Sequence, residues 1–155
     1  MNAEARIIEL GLKLPPPPEP TGLYRPMVLL ENVAYVSGHG PMREDGSFIL
    51  GRVGEDLGQE AGYRAARATG LAILATLRRE FGSLDRIRRV VKLLGMVNCT
   101  PEFGQHPEVI NGCSRLFSEV FGPEAGVGAR SAVGVGSLPM GIPVEVEAIF
   151  EVYEK

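Results

Sequence analysis

Over residues 56–81 the apolar positions recur with the period of a helix. Ala61, Ala65, Ala68, Ala72 and Ala75 form a small-residue stripe with Leu71, Ile73, Leu74 and Leu77 interleaved, which predicts a long helix able to lie close on a sheet. Asp56, with Gln59 three residues on, reads as its N-terminal cap, and Gly82 as its end. From 87 to 98 that period gives way to a run of β-branched and apolar residues that predicts a long strand. A second helix is expected from Pro107, at a first-turn position, to Gly122, with Val109, Ile110, Leu116, Phe117, Val120 and Phe121 available for packing.

The ends of the chain read differently. Residues 2–11 predict a short helix with Ile7, Ile8, Leu10 and Leu12 as contacts and Gly11 as a stop. Prolines 15, 16, 17, 18 and 20 then force an extended connector of polyproline II type. Residues 27–30 and 33–37 read as two strands around the turn Glu31-Asn32, and 47–49 as a short further strand. The stretch 129–148 reads as two strands joined by Leu138-Pro139-Met140-Gly141, whose Pro and Gly supply turn chemistry. Because strand side chains alternate, Arg130, Ala132, Gly134 and Gly136 share one face of the first strand. Glu145 and Glu147 likewise share a face of the second, opposite Val144, Val146 and Ala148. Paired as a hairpin, these strands put a guanidinium and two carboxylates on one surface otherwise lined by Gly and Ala, with room for a small molecule.

Strand-helix-strand crossings with a hairpin at each end predict an α+β fold, a mixed sheet with the two long helices on one face. The other face then needs a cover, and Gly134 and Gly136 predict close approach by another copy of the chain.

Length and composition narrow the function. At 155 residues, one domain over 1–155 is expected, with 1–20 as its N-terminal helix and Pro-rich connector. A formal net charge of -3 gives no general attraction to nucleic acid or an anionic membrane. No apolar run approaches the ~18 residues of a membrane span. The start MNAEARIIEL lacks the basic and apolar regions of a signal peptide, so a cytoplasmic protein is expected.

Few residues carry chemistry. Cys99 and Cys113 form no CxxC unit, and His39 and His106 lie in separate segments, so no metal is expected. Neither cysteine is placed beside an evident base, and His39, between glycines at the end of a strand, reads as solvated. Arginines 78, 79, 86, 88 and 89 bracket a helix-to-strand junction with no aromatic platform among them, and read as a solvated rim rather than a nucleic-acid surface. Arg130 is the side chain best shaped to grip a carboxylate, or else pairs with a glutamate across the strands.

The run RSAVGVGSLPMGIPVEVEAIFEV resembles the C-terminal signature of the RidA/YjgF family, also known as endoribonuclease L-PSP. Gly22-Leu23-Tyr24, the strand Ala34-Tyr35-Val36-Ser37-Gly38, the Ala-rich helix, Val90-Val91-Lys92 and Asn111 match in the expected order, covering roughly residues 20 to 153. The resemblance implies a chorismate-mutase-like fold, a homotrimer with ligand sites in the clefts between subunits, and no cofactor. It implies hydrolysis of reactive enamine or imine intermediates to 2-oxo acids and ammonia. Arg130 would hold the substrate carboxylate and Glu145 would orient water and handle protons. Backbone at Gly38 and Ala132 would complete the cleft, with Tyr24, Ser37 and Asn111 lining or supporting it. Ala132 stands where many deaminase members have Cys, and both the N-terminal extension and the loop CTPEFGQH are longer than the common form. A non-catalytic binder of small carboxylic acids is the alternative function, and an endoribonuclease the third.

Overall fold

The computed structural model describes residues 2–154. Its elements run α1 (Ala3–Glu9), β1 (Met27–Leu30), β2 (Val33–His39), α2 (Gln59–Phe81), β3 (Ile87–Asn98), α3 (His106–Phe121), β4 (Ala129–Val135) and β5 (Val144–Val152). The strands form one sheet in the order β1-β2-β5-β3-β4, antiparallel except for β3 and β4, which run parallel. This is the expected α+β architecture, with α2 and α3 packed on each other and on one face of the sheet.

The central strand pairs on both sides, and its alternation divides the molecule. Leu93, Gly95 and Val97 of β3, with Val144, Val146, Ala148 and Phe150 of β5, point at the helices and are buried. Ile73, Leu74, Leu77, Ile110, Leu116 and Phe117 come from the helices to meet them. Burying a side chain of this size contributes about 1.5–3 kcal/mol. The two helices approach closely where side chains are missing. A Cβ on Gly112 would fall 2.0 Å from the Tyr63 carbonyl oxygen, and one on Gly70 would fall 2.8 Å from Leu116. Val28, Tyr35, Leu94 and Val133 face away from the helices, and among the described residues no element covers them.

Several local expectations are corrected. The two C-terminal strands are not a hairpin: β3 lies between them, pairing with β4 through Leu93↔Arg130 and with β5 through Leu93↔Ala148. The Leu138–Gly141 turn therefore carries the chain across β3. Residues 47–49 contribute only an isolated bridge, Met42↔Phe48. Helix α2 starts at Gln59 behind Gly58, because the Asp56 carboxylate instead accepts the backbone N–H of Arg52 in the preceding turn. In α1, Ile7 is buried but Ile8 is 80% exposed. Gly82 does end α2, in the left-handed conformation at φ 77°, with its N–H donating to Arg78.

The N-terminal segment is tied down rather than loose. Glu4 accepts from the Arg78 guanidinium at 2.6 and 3.1 Å and from the Leu84 N–H at 2.8 Å, and these contacts lower its pKa despite partial burial. Arg79 pairs with Glu19 at 2.9 Å and Arg88 with Glu151 at 3.0 Å. Much of the expected arginine rim thus holds chain termini in place.

Candidate active site

Glu145 sits where β2 and β5 lose register. Val36 pairs with Ala148 and His39 with Val146, so Ser37 and Gly38 together oppose Glu147 alone, and the extra residue makes a β-bulge. The bulge brings the Gly38 backbone against the glutamate next along β5. A Cβ on Gly38 would lie 2.9 Å from Glu145 Cδ, so only glycine leaves the carboxylate its position. The Ser37 hydroxyl is turned away, donating to the Arg25 carbonyl at 2.5 Å.

A cavity of about 590 Å³ opens over this carboxylate, lined by Tyr24, Ser37, Gly38, His39, Glu145 and Glu147 together with apolar side chains. Burial, and secondly the like charge of Glu147, push the Glu145 carboxyl above the usual glutamate range. Beneath the bulge, His39 is buried and not solvated. Its Nδ1 lies 2.6 Å from the Ser37 carbonyl and so donates, leaving Nε2 to accept from the Thr76 hydroxyl at 2.8 Å. Burial holds its pKa below the ordinary histidine value. This neutral imidazole ties the bulge to α2 and is a strut rather than a base.

Arg130 lies elsewhere. It projects from edge strand β4 toward α3, where its Nη1 donates to Asn111 Oδ1 at 2.7 Å and to Ser114 Oγ at 3.1 Å. The side chain is exposed, and among the described residues it makes no ion pair, so the cross-strand pairing with a glutamate does not occur. Asn111 holds one side of the guanidinium fork and leaves the rest open to a ligand. Ser114, three residues on along the same helix face, is a second prop that reasoning from sequence did not single out; the i, i+3 spacing was the available signal. Ala132 shares the Arg130 face, opposite Gly95.

The expected residues therefore form two groups and not one surface. Tyr24, Ser37, Gly38 and Glu145 share the cavity, whereas Arg130, Asn111 and Ala132 cluster at β4 and α3. Arg130 is in register with Leu93, which faces the helices, and Glu145 with Met96, which faces away. The two thus stand on opposite faces of the sheet, two strands apart laterally and three residues apart along β3, roughly 10 Å in each direction.

Gly134 is accounted for within the chain. The space of its missing Cβ is taken by His106 Nε2, which would be 2.4 Å away, and by Cys99 Sγ. Among the described residues, apart from its chain neighbours, nothing lies within 4 Å of where a Cβ on Gly136 would sit. Contrary to expectation, Cys99 has a histidine beside it, with Sγ 3.4 Å from His106 Nε2. Burial nevertheless raises the Cys99 pKa, and complete burial pushes Cys113 up to about 12, so both are protonated thiols at neutral pH.

Comparison with known proteins agrees with this architecture. Residues 4–147 match the family described as "YjgF/chorismate mutase-like, putative endoribonuclease". Protein TCP17 of Trypanosoma cruzi is 41% identical over 147 residues, covering 95% of this chain and 92% of that protein. The crystal structure of Atu1372 from Agrobacterium tumefaciens, a protein of unknown function, superposes with a TM-score of 0.88 at 41% identity, covering 97% of this chain and 94% of that one. A "putative endoribonuclease" from Shewanella oneidensis MR-1 gives a TM-score of 0.93 at 29% identity, covering 98% and 100%. With nearly its whole length matched, this chain belongs to the YjgF/chorismate mutase-like family.

Proposed function

We propose that this protein hydrolyses 2-imino acids, the tautomers of reactive 2-enamino acids, to 2-oxo acids and ammonia. Arg130 anchors the substrate carboxylate and Glu145 serves the attacking water. The observation that carries the reading is Glu145 itself: a half-buried carboxyl with raised proton affinity, laid on a glycine at the floor of a cavity of substrate size.

The reaction asks for little. An imine carbon is already electrophilic; water adds to it, the carbon–nitrogen double bond becomes single, and the carbinolamine expels ammonia to leave the 2-oxo acid. Glu145 takes a proton from the adding water and returns it to the departing nitrogen, a role served by a carboxyl whose pKa lies nearer neutrality than that of a free glutamate. Arg130 grips the carboxylate with its open donors, fixing the imine carbon in place.

Both residues serve one small substrate only if they come from different copies of the chain. Within one copy they stand on opposite sheet faces, too far apart for a small imino acid to bridge. The surface bearing Arg130 in one copy meets the surface bearing Glu145 in the next. Two different surfaces that meet head to tail close into a ring, and a homotrimer satisfies this contact. The uncovered sheet face with Val28, Tyr35, Leu94 and Ile149 supplies apolar area for the contact.

The test is ammonia and 2-oxo acid release from imino acids generated in situ by an amino-acid oxidase. The expected result is acceleration over buffer that Arg130→Ala and Glu145→Ala each abolish while the fold persists. Carboxylate binding dependent on Arg130 without acceleration makes the protein a binder instead.

A further inference from the structure

Resting on the reading above, we propose that the Glu145 cavity selects imino acids with bulky apolar side chains, leucine- and phenylalanine-derived rather than alanine-derived, and that the N-terminal extension and Met140 build the wall that does so. Its walls beyond the carboxylates are largely hydrocarbon: Pro18, Pro20, Met42, Phe48, Met140 and Ile142. This hydrocarbon offers contact to a large apolar side chain that a methyl group cannot use.

Two features show that this wall is built. The Pro-rich connector reaches the cavity because α1 anchors it behind, through Glu4 to Arg78, and because Glu19, inside the cavity-lining stretch, pairs with Arg79 at 2.9 Å. Proline fixes the backbone there, so the wall is stiff and loses little entropy when a ligand binds. On the facing side, Met140 holds a left-handed backbone at φ 61°, a conformation unusual for a residue with a side chain, and is 64% exposed. A glycine would fit that backbone at no cost. The turn thus presents a flexible thioether chain to the cavity, where it can close on an apolar ligand. Further in, Gly40 lets Ile142 and Phe48 close the floor, since a Cβ there would lie 2.9 and 3.2 Å from them.

The probes are the inert products pyruvate, 4-methyl-2-oxopentanoate and phenylpyruvate, titrated calorimetrically into the intact protein and into Met140→Gly. That variant keeps the backbone conformation and therefore folds. The expected result is that the two bulky acids bind about tenfold or more tighter than pyruvate, and that the gap shrinks at least about threefold in Met140→Gly. Phe48→Ala, with melting temperature as its fold control, shrinks it in the same direction. Equal or tighter binding of pyruvate, absence of binding by all three acids, or a gap indifferent to Met140 overturns the proposal. If the bulky acids bind in this order while their imines are not hydrolysed faster than in buffer, the hydrolysis reading fails and the selectivity stands.

Discussion

Arg130 and Glu145 are the two charged groups of one proposed chemistry, and the fold treats them in opposite ways. Within one copy Arg130 is exposed at a sheet edge, steadied through one nitrogen by Asn111 and Ser114. Glu145 lies half-buried on a glycine bulge, beside a second carboxylate and under a proline wall. An anchor works by keeping its charge, and a guanidinium does so without help from its surroundings. A proton carrier needs its pKa moved, and only desolvation or like charge moves it upward. The contrast is therefore one of function: the binding half is wet and propped, and the chemical half is drier and crowded.

The sharpest way to separate the halves is Glu145→Gln. Turnover is expected to fall by about 10²–10⁴. Stability is expected to move the other way. A carboxyl whose folded pKa is raised favours the native state below its unfolded pKa of about 4.3, and that contribution is lost as pH rises through the folded value. At neutral pH the charge thus opposes folding, and Glu145→Gln is expected to raise the melting temperature by about 1–3 °C. Calorimetry beside the ammonia assay checks both signs; a loss of stability breaks the comparison.

Arg130→Lys tests the wet half. The point charge remains and the fork is lost, so kcat/KM is expected to fall about 10–100-fold, mostly through KM, with melting temperature within about 1 °C of the parent. Gly38→Ala touches the dry half without changing a charge. The new Cβ requires Glu145 to move, and a turnover loss of about tenfold with KM little altered is expected.

The smallest effect concerns the strut beneath the bulge. His39 is held neutral by burial, so below about pH 6.5 the unfolded chain takes a proton that the native state refuses. Stability is expected to fall as pH drops from 6.5, with a slope of at most about 1.4 kcal/mol per unit, and to be indifferent to this group above it. His39→Gln is expected to flatten that slope in melting curves taken between pH 5 and pH 7.

What the sequence revealed was local, and what it hid was distant. The long strand β3, the hairpin around Glu31-Asn32 and the end of α2 at Gly82 could be read because β-branched runs and glycine conformations act within a few residues. The alternation within β4 and β5 was equally legible, so Arg130 with Ala132, and Glu145 with Glu147, were grouped correctly on their own strands. Which faces meet was not. The Leu138–Gly141 turn suits a hairpin, and only the pairing of both strands with β3, about forty residues earlier, overrides it. The same distance hid Thr76 from His39, while His106 lay only seven positions from Cys99 but on another element.

In the proposed assembly one site takes Arg130 from one copy and Glu145 from another. Arg130→Ala and Glu145→Ala proteins, each inactive alone, are unfolded together, refolded as an equal mixture and assayed for imino acid hydrolysis. Random assembly of a ring leaves both groups intact at about one interface in four, so roughly a quarter of the parental activity is expected to return. A mixture as inactive as its components, with the rings shown to have exchanged, would place both residues in a single copy and contradict the account.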